Sequence, residues 1–317
     1  MNFTKKIKLY ANYFVTGRKK YHGSINASVK NTYITGYAYE ISQKKWEFEN
    51  DLPLGLFSKD WKVSLEKKVH ISGLCEYGMG CLENKQYENA ITVFKFIIKH
   101  LYHDKKLNCI YWKTYKSESV SDFYNHGMGH GELCMFITWM YRLYPSIENI
   151  DILNGLLQVY SVKNVPKLGI VFQNQSKYII EEYTDLSLRG VLNGWLSGIL
   201  GLKAIIEYNR DKKNTTNEHY HQLYRKLIVD LEDSINFYDL GFWSLYAPGR
   251  KFEYVASNHY HMLHIALLEA LSDSKILNQV CLKWKKQNTS VICTIMATFT
   301  KLFISNIFYR GHLLKLK

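Results

Sequence analysis

The stretch Tyr87-Glu-Asn-Ala90-Ile91-Thr-Val-Phe94-Lys-Phe-Ile97-Ile98-Lys-His-Leu101 decides the fold class. Tyr87, Ala90, Ile91, Phe94, Ile97, Ile98 and Leu101 recur every three or four positions, which gathers them on one stripe of an amphipathic helix. Working outward, similar stripes occupy residues 69–82, 129–143, 147–160, 191–209, 217–237, 261–272 and 274–286. Helices this close in sequence pack as antiparallel hairpins, and hairpins in series curl most simply into an incomplete α/α toroid, or α/α barrel. Strand-like text is confined to Tyr33–Tyr39, to Gly169–Phe172 with Tyr178–Glu181 across an Asn-Gln-Ser turn, and to Phe242–Tyr246. The expected protein is therefore mainly α, with short β-hairpin insertions and a small N-terminal β arm. No Gly/Ser/Pro-rich linker follows residue 70, so the boundaries fall at an arm over 1–68, a toroid over 69–288 and a C-terminal basic amphipathic helix over 289–317.

Composition narrows the partner. With 317 residues, 47% of them apolar, the chain can bury a large core. A formal charge of +13 favours polyanions, and the absence of RNP, zinc-finger or helix-turn-helix text argues against nucleic acid among them. The 25 tyrosines suit sugar rings, although AT-rich coding also raises Lys, Asn, Ile and Tyr together. Cys75, Cys81, Cys109, Cys134, Cys281 and Cys293 form no C-x-x-C pair and lie mostly in apolar runs, as buried thiols in a reducing compartment would. The first twenty residues carry positive charge without an apolar core segment, so a cytoplasmic protein is expected. In the tail, Ile292, Ile295, Met296, Phe299, Leu302 and Phe303 share one face, and Arg310, His312, Lys315 and Lys317 follow. That pattern fits either a last helix packed on the toroid or an interfacial one at the inner face of an anionic membrane. A homodimer is compatible with the same features. No cofactor signature is present.

The chemistry-bearing residues cluster in two stretches, Glu181-Glu182-Tyr183 and Trp243 through Tyr246 to Tyr260-His261-Met-Leu-His264. Tyrosine is a poor base unless a cation stabilises the tyrosinate, and Arg250, His261 and His264 are near enough in sequence to be expected in that role. His261 and His264 share a helical face, yet no third ligand at tight spacing supports a metal site. Glu181 and Glu182 alternate along a strand, so only one can face a cleft, leaving the other solvated. Gly127, Gly129 and Gly131 lack a following P-loop lysine and fit tight helix–loop packing better than a phosphate cradle.

The order of these motifs resembles the C-terminal domain of the D-glucuronyl C5-epimerases, which convert glucuronate to iduronate in heparosan-type chains. Glu76-Tyr77-Gly78 is similar to a Gln-Tyr-Gly-Leu helix of that family. Phe123-Tyr124-Asn-His-Gly-Met128-Gly-His130-Gly131 resembles its Trp-Tyr-Ser-Ala-Met-Ala-Gln-Gly stretch with one residue inserted. Val171-Phe172-Gln-Asn174, Glu181-Glu182-Tyr183-Thr184 and Val191-Leu192-Asn193-Gly194 are similar to Val-Phe-Met-Asn, Glu-Glu-Tyr-Pro-Thr and Val-Leu-Asn-Gly. Tyr246 resembles the tyrosine of Ile-Tyr-Asp-Leu-Arg, Tyr260-His261-Met-Leu-His264-Ile265 resembles Tyr-His-Thr-Thr-His-Ile, and Lys283-Trp284-Lys285 the closing Arg-Trp-Lys.

What the resemblance implies is C5 epimerisation of uronate in an acidic glycan, without a cofactor. It assigns Tyr183, Tyr246 and Tyr260, with Glu182 beside them, to proton transfer, and leaves open which tyrosine serves which face. Arg250, His261, His264, Asn193, His130, Tyr124 and Tyr77 are the implied substrate-binding residues. Glycan-assembly enzymes are implied neighbours. The departures are as informative. The family's large N-terminal β-rich region is replaced by a short arm, the segment between Tyr246 and Tyr260 is shorter, Arg250 stands one place further from Tyr246, and Asn258-His259 and His130 replace Trp-Asp and Gln. Two other activities use the same residues: a polysaccharide lyase that expels the C4 substituent after the same first step, and a non-catalytic glycan-binding or assembly protein.

Overall fold

A computed structural model describes residues 47–54, 62–116, 122–214, 217–248, 254–271 and 273–301. Its described helices are α1 (Leu65–Lys68), α2 (Ile71–Glu83), α3 (Tyr87–His100), α4 (Gly127–Leu143), α5 (Ile150–Ser161), α6 (Leu192–Asp211), α7 (Glu218–Glu232), α8 (Asn258–Ala270) and α9 (Lys275–Thr289), followed by a helical segment over 291–301. The stripe that opened the sequence reading is α3, with Ala90, Val93, Phe94 and Ile97 buried. Side-chain caps fix several helix starts: Asn149 accepts from the Asp151 N–H, Asn217 from His219, Ser257 from Tyr260 and Ser274 from Leu277. The fold is mainly α, as expected, with small antiparallel hairpins between the helices.

The helices α4 and α6 form the centre. Their backbones touch where a Cβ on Gly131 would stand 2.1 Å from the Ser197 carbonyl oxygen and one on Gly201 would stand 2.5 Å from the Gly131 Cα, so larger residues would drive the pair apart. Around this pair, Trp195, Trp243, Trp284, Tyr141, Tyr160 and Tyr208 are among the largest fully buried side chains.

Among the described residues there are four two-stranded antiparallel pairs: β1 (Phe48–Glu49) with β2 (Leu52–Pro53) ahead of the helices, and, between them, β3 (Tyr102–Asp104) with β4 (Cys109–Tyr111), β5 (Thr114–Tyr115) with β6 (Phe123–Tyr124), and β7 (Val171–Asn174) with β8 (Lys177–Ile180). The last is the hairpin expected from sequence, in register Val171 to Ile180, and Gln175 takes the positive φ of 53° that its turn requires. Phe242–Tyr246 departs from the strand expectation. Among the described residues it forms only the isolated bridges Asp239 to Ser244 and Leu245 to Val255. Tyr33–Tyr39 lies outside the described residues.

The tail resolves into an unusual packing. Thr294 and Ala297 are buried and Lys301 donates to the Val255 carbonyl at 2.9 Å, while Ile292 is 71% and Phe299 64% exposed. Residues 291–301 thus pack through their small, polar face and leave Ile292, Ile295, Met296 and Phe299 outward, while Leu302, Phe303 and the basic end at Arg310, His312, Lys315 and Lys317 lie outside the described residues. Burial pulls the Lys301 ammonium down to about 8. No described helix is long and apolar enough to cross a membrane. All six cysteines are free thiols, five of them buried.

Candidate active site

Beyond β8 the chain runs through Glu181, Glu182 and Tyr183 into a slot between the first turns of α4 and α6. The Gly127 N–H donates to the Glu182 carbonyl at 2.9 Å, and a Cβ at Gly127 would come within 2.1 Å of the Glu181 carbonyl oxygen. On the other side, a Cβ at Gly194 would meet Glu182 Cβ at 2.4 Å. Two glycines therefore admit Glu182 between two helix N-termini, whose free N–H groups favour negative charge.

The Glu182 carboxylate is buried and well supplied with donors. Asn193 Nδ2 donates to Oε2 at 2.7 Å, the Tyr246 hydroxyl donates to Oε1 at 3.1 Å, and Tyr183 and the Gly194 N–H also donate. Burial still outweighs these donors and raises the carboxyl to about 7. Tyr246 reaches the site because the Leu192 N–H donates to its carbonyl at 2.9 Å, tying residues 244–246 to the start of α6. Its hydroxyl lies 3.5 Å from that of Tyr183, and its ring centre 4.7 Å from that of Tyr260. Tyr183, Tyr246 and Tyr260 are each partly exposed, whereas Glu182, Asn193 and Tyr124 are buried. The site is therefore a buried acid beneath a row of tyrosines that reach the surface.

Charge runs opposite to the tyrosinate expected from sequence. Burial, reinforced by the Glu182 charge, pushes the Tyr124, Tyr183 and Tyr246 phenols upward. A neutral tyrosine can still pass a proton if its own moves on to Glu182, which is poised near neutrality for that task.

Tyr124 joins the group, its ring 6.1 Å from that of Tyr183, and Asn193 also contacts the Met128 sulfur at 3.0 Å. The remaining sequence candidates lie elsewhere. The His261 and His264 rings are fully buried in α8, where each Nδ1 meets the Ser244 hydroxyl, at 2.8 and 2.9 Å, and His261 stacks on Trp243 at 3.8 Å. Burial lowers His261 to about 3 and His264 well below the usual histidine range, so at neutral pH neither is a cation. His130 is buried one turn inside α4, bonded to the Leu156 carbonyl at 3.1 Å with its ring against Tyr160. Tyr77 packs edge-on against Phe48. Arg250 lies outside the described residues.

Glu181 corrects the expectation of a solvated side chain. It is fully buried, held by Arg189 Nε at 2.6 Å and by the Gly190 N–H at 2.7 Å. It lines a separate cavity of about 670 Å³ with Phe172, Trp195, Phe237 and Tyr238. The two glutamates do face opposite ways, and both are buried, Glu181 under a half-exposed arginine and Glu182 among Asn193, Gly194 and the tyrosines.

Sequence reasoning missed two residues. His126 caps α4, accepting the Gly129 N–H at Nδ1 (2.9 Å), and its Nε2 lies 3.7 Å from Glu182 Oε1. Lys116 stands over the Tyr124 ring at 5.3 Å and pairs with Asp185, which puts a cation beside the aromatic row. His126 was visible as the residue before the Gly127–Leu143 helix, but a histidine cap has no common sequence signature. Among the described residues no group of three or more His, Cys, Asp or Glu could hold a metal ion.

Residues 104–288 match the family described as D-glucuronyl C5-epimerase C-terminus, a span that contains the whole Glu182 cluster. No curated protein matches the chain.

Proposed function

The chain belongs to the D-glucuronyl C5-epimerase C-terminal family, and from that premise we propose that it inverts C5 of D-glucuronate residues in an acidic glycan to give L-iduronate. The observation that carries the proposal is the hydrogen bond from the Tyr246 hydroxyl to the buried Glu182 carboxylate.

The C5 hydrogen lies α to a carboxylate, so its removal leaves an electron pair that spreads into the carboxyl group. Tyr246 takes that proton on its oxygen while passing its own to Glu182 Oε1, so the abstraction itself needs no tyrosinate. Tyr183 gives its hydroxyl proton to C5 on the other face and is left as a short-lived tyrosinate. The 3.5 Å contact between the Tyr183 and Tyr246 hydroxyls then lets the Glu182 proton travel back through Tyr246 to Tyr183 and reset the site. That contact is weak enough for a sugar ring to part it. Tyr260, packed on the Tyr246 ring, orients it. Arg250 and Lys116 are the proposed partners of the charge that builds on the substrate carboxyl.

The substrate is proposed to be polymeric and heparosan-like, a choice supported by the +13 charge and the family. Contact with an anionic membrane is a further part of the proposal, supported by the outward apolar stripe of residues 291–301. The test is incubation with a glucuronate-containing glycan and NMR of the product. Iduronate signals are the expected result; an absorbing 4,5-unsaturated uronate would instead identify a lyase.

A further inference from the structure

The geometry points to His126 as a positioning residue of this site: a neutral ring with its hydrogen fixed on Nε2, donating toward Glu182 and holding that carboxylate in its charged form facing Tyr246. The inference rests on the epimerase reading for its role, but the state of the ring follows from the fold alone.

His126 Nδ1 accepts the backbone N–H of Gly129 at 2.9 Å, so that nitrogen must present a lone pair. In a neutral imidazole the hydrogen is then on Nε2, and a protonated ring, with donors on both nitrogens, would break the cap. Nε2 lies 3.7 Å from Glu182 Oε1 in a buried pair, each side chain only 4% exposed. That separation is longer than a hydrogen bond, and catalytic contacts of this kind commonly tighten when substrate binds.

The ring has little freedom. Its centre is 4.7 Å from that of His70 at the start of α2, 5.6 Å from that of Tyr183 and 5.8 Å from that of Tyr124 on β6. A backbone bridge joins His126 to Tyr183, and the Gly127 N–H is bonded to the Glu182 carbonyl, so ring and carboxylate are tied by their main chains. The groups facing the pair are His70 from α2, Tyr124 from β6, Tyr183 and Tyr246, and Asn193 with the Gly194 N–H from α6; Lys116 stands behind Tyr124. Burial and His70 both disfavour a charge on the ring.

The same arrangement excludes two other roles. A histidine relay needs both nitrogens, and here Nδ1 faces an amide that does not release its hydrogen. A histidine base needs a lone pair toward the substrate, and Nε2 carries the hydrogen. What remains is a donor that stabilises carboxylate over carboxylic acid.

The variant His126→Asn separates the donor from the cap, because an asparagine oxygen accepts the same first-turn N–H. Two measurements need no activity. Nitrogen NMR of histidine-labelled protein should show His126 as the neutral Nε2–H form from pH 5.5 to 8.5, and carbon NMR of the Glu182 carboxyl should titrate about one pH unit higher in His126→Asn than in wild type. If C5 exchange is present, its acid limb should move up by the same amount, with kcat lowered and KM kept. A charged or Nδ1–H ring, or an unmoved Glu182 titration in a folded His126→Asn protein, would overturn the assignment. Loss of the epimerase reading with the NMR results intact would leave His126 as the donor to Glu182 and remove only its catalytic purpose.

Discussion

The Glu182 cluster and the Ser244 cluster are built from neighbouring motifs, and both bury polar groups. They differ in what they leave unresolved. Around Ser244, the His261 and His264 rings are neutral and closed off from solvent, His261 stacked on Trp243 and both tilted against Trp284. Around Glu182, a buried carboxyl balanced near neutrality donates or accepts a proton at little cost and touches tyrosines that reach the surface. The first arrangement stiffens the bridge that carries Tyr246. The second can react. Burial alone therefore does not nominate a residue for catalysis; a proton poised at working pH together with an open edge makes Glu182 the candidate.

The largest contrast should appear in substitutions that change no volume. Glu182→Gln and Tyr246→Phe should each cut C5 exchange by about 10²–10⁴-fold, the scale of a lost general acid or base, and Tyr260→Phe by less, because it acts through the Tyr246 ring. His261→Leu should behave oppositely. It leaves the Ser244 hydroxyl with His264 alone and takes away the Nδ1 acceptor of the Ser244 N–H, so we expect about 1–3 kcal/mol of lost stability in denaturant melts with the pH profile of exchange unchanged. Equal losses of exchange in folded His261→Leu and Tyr246→Phe proteins would erase the distinction between the clusters.

Stability against pH sharpens it further. The Glu182 carboxyl is raised from 4.5 to about 7, so its contribution to stability is full below about 4.5 and lost as pH rises through about 7. Glu182→Gln should accordingly gain about 1–3 kcal/mol at pH 8 while losing activity. The buried histidines run the other way. His130 is lowered to about 4 and His261 to about 3, so their contribution is present above pH 6.5 and fades as pH falls below it. Thermal melts between pH 7 and 5 should show that decline, and it should be smaller in His261→Leu. Exchange itself should rise with pH through about 7 as Glu182 ionises. Arg250→Ala should reduce turnover at low salt as well as high if Arg250 is, as proposed, a local partner of the developing charge.

Much of the helical frame was legible because periodicity survives without knowledge of partners. The β7–β8 hairpin was legible for a similar reason, two apolar runs across a polar turn. The β3–β4 and β5–β6 hairpins were not, because strands of two or three residues are too short to show alternation. At the site, the motif order located Glu182, Tyr183, Tyr246, Tyr260, Asn193 and Tyr124 within the chain. It could not separate them from His261, His264 and His130, since adjacency in sequence does not say which side of a helix is closed. The partner of Glu181 was hidden in Arg189, eight positions on, across a turn that sequence pattern does not fold. The stripe at 292–299 was seen, but periodicity reports that a face is apolar and not whether it is covered.

The most direct measurement is deuterium incorporation at C5 of a glucuronate glycan in heavy water, followed by proton NMR for wild type and Tyr246→Phe side by side. Wild type should lose the C5 proton signal with iduronate appearing, and the variant, still folded by thermal melt, should exchange at a rate lower by at least about 10²-fold. Wild-type protein that binds the glycan yet leaves C5 fully protonated, or a Tyr246→Phe protein that exchanges as fast as wild type, would contradict it.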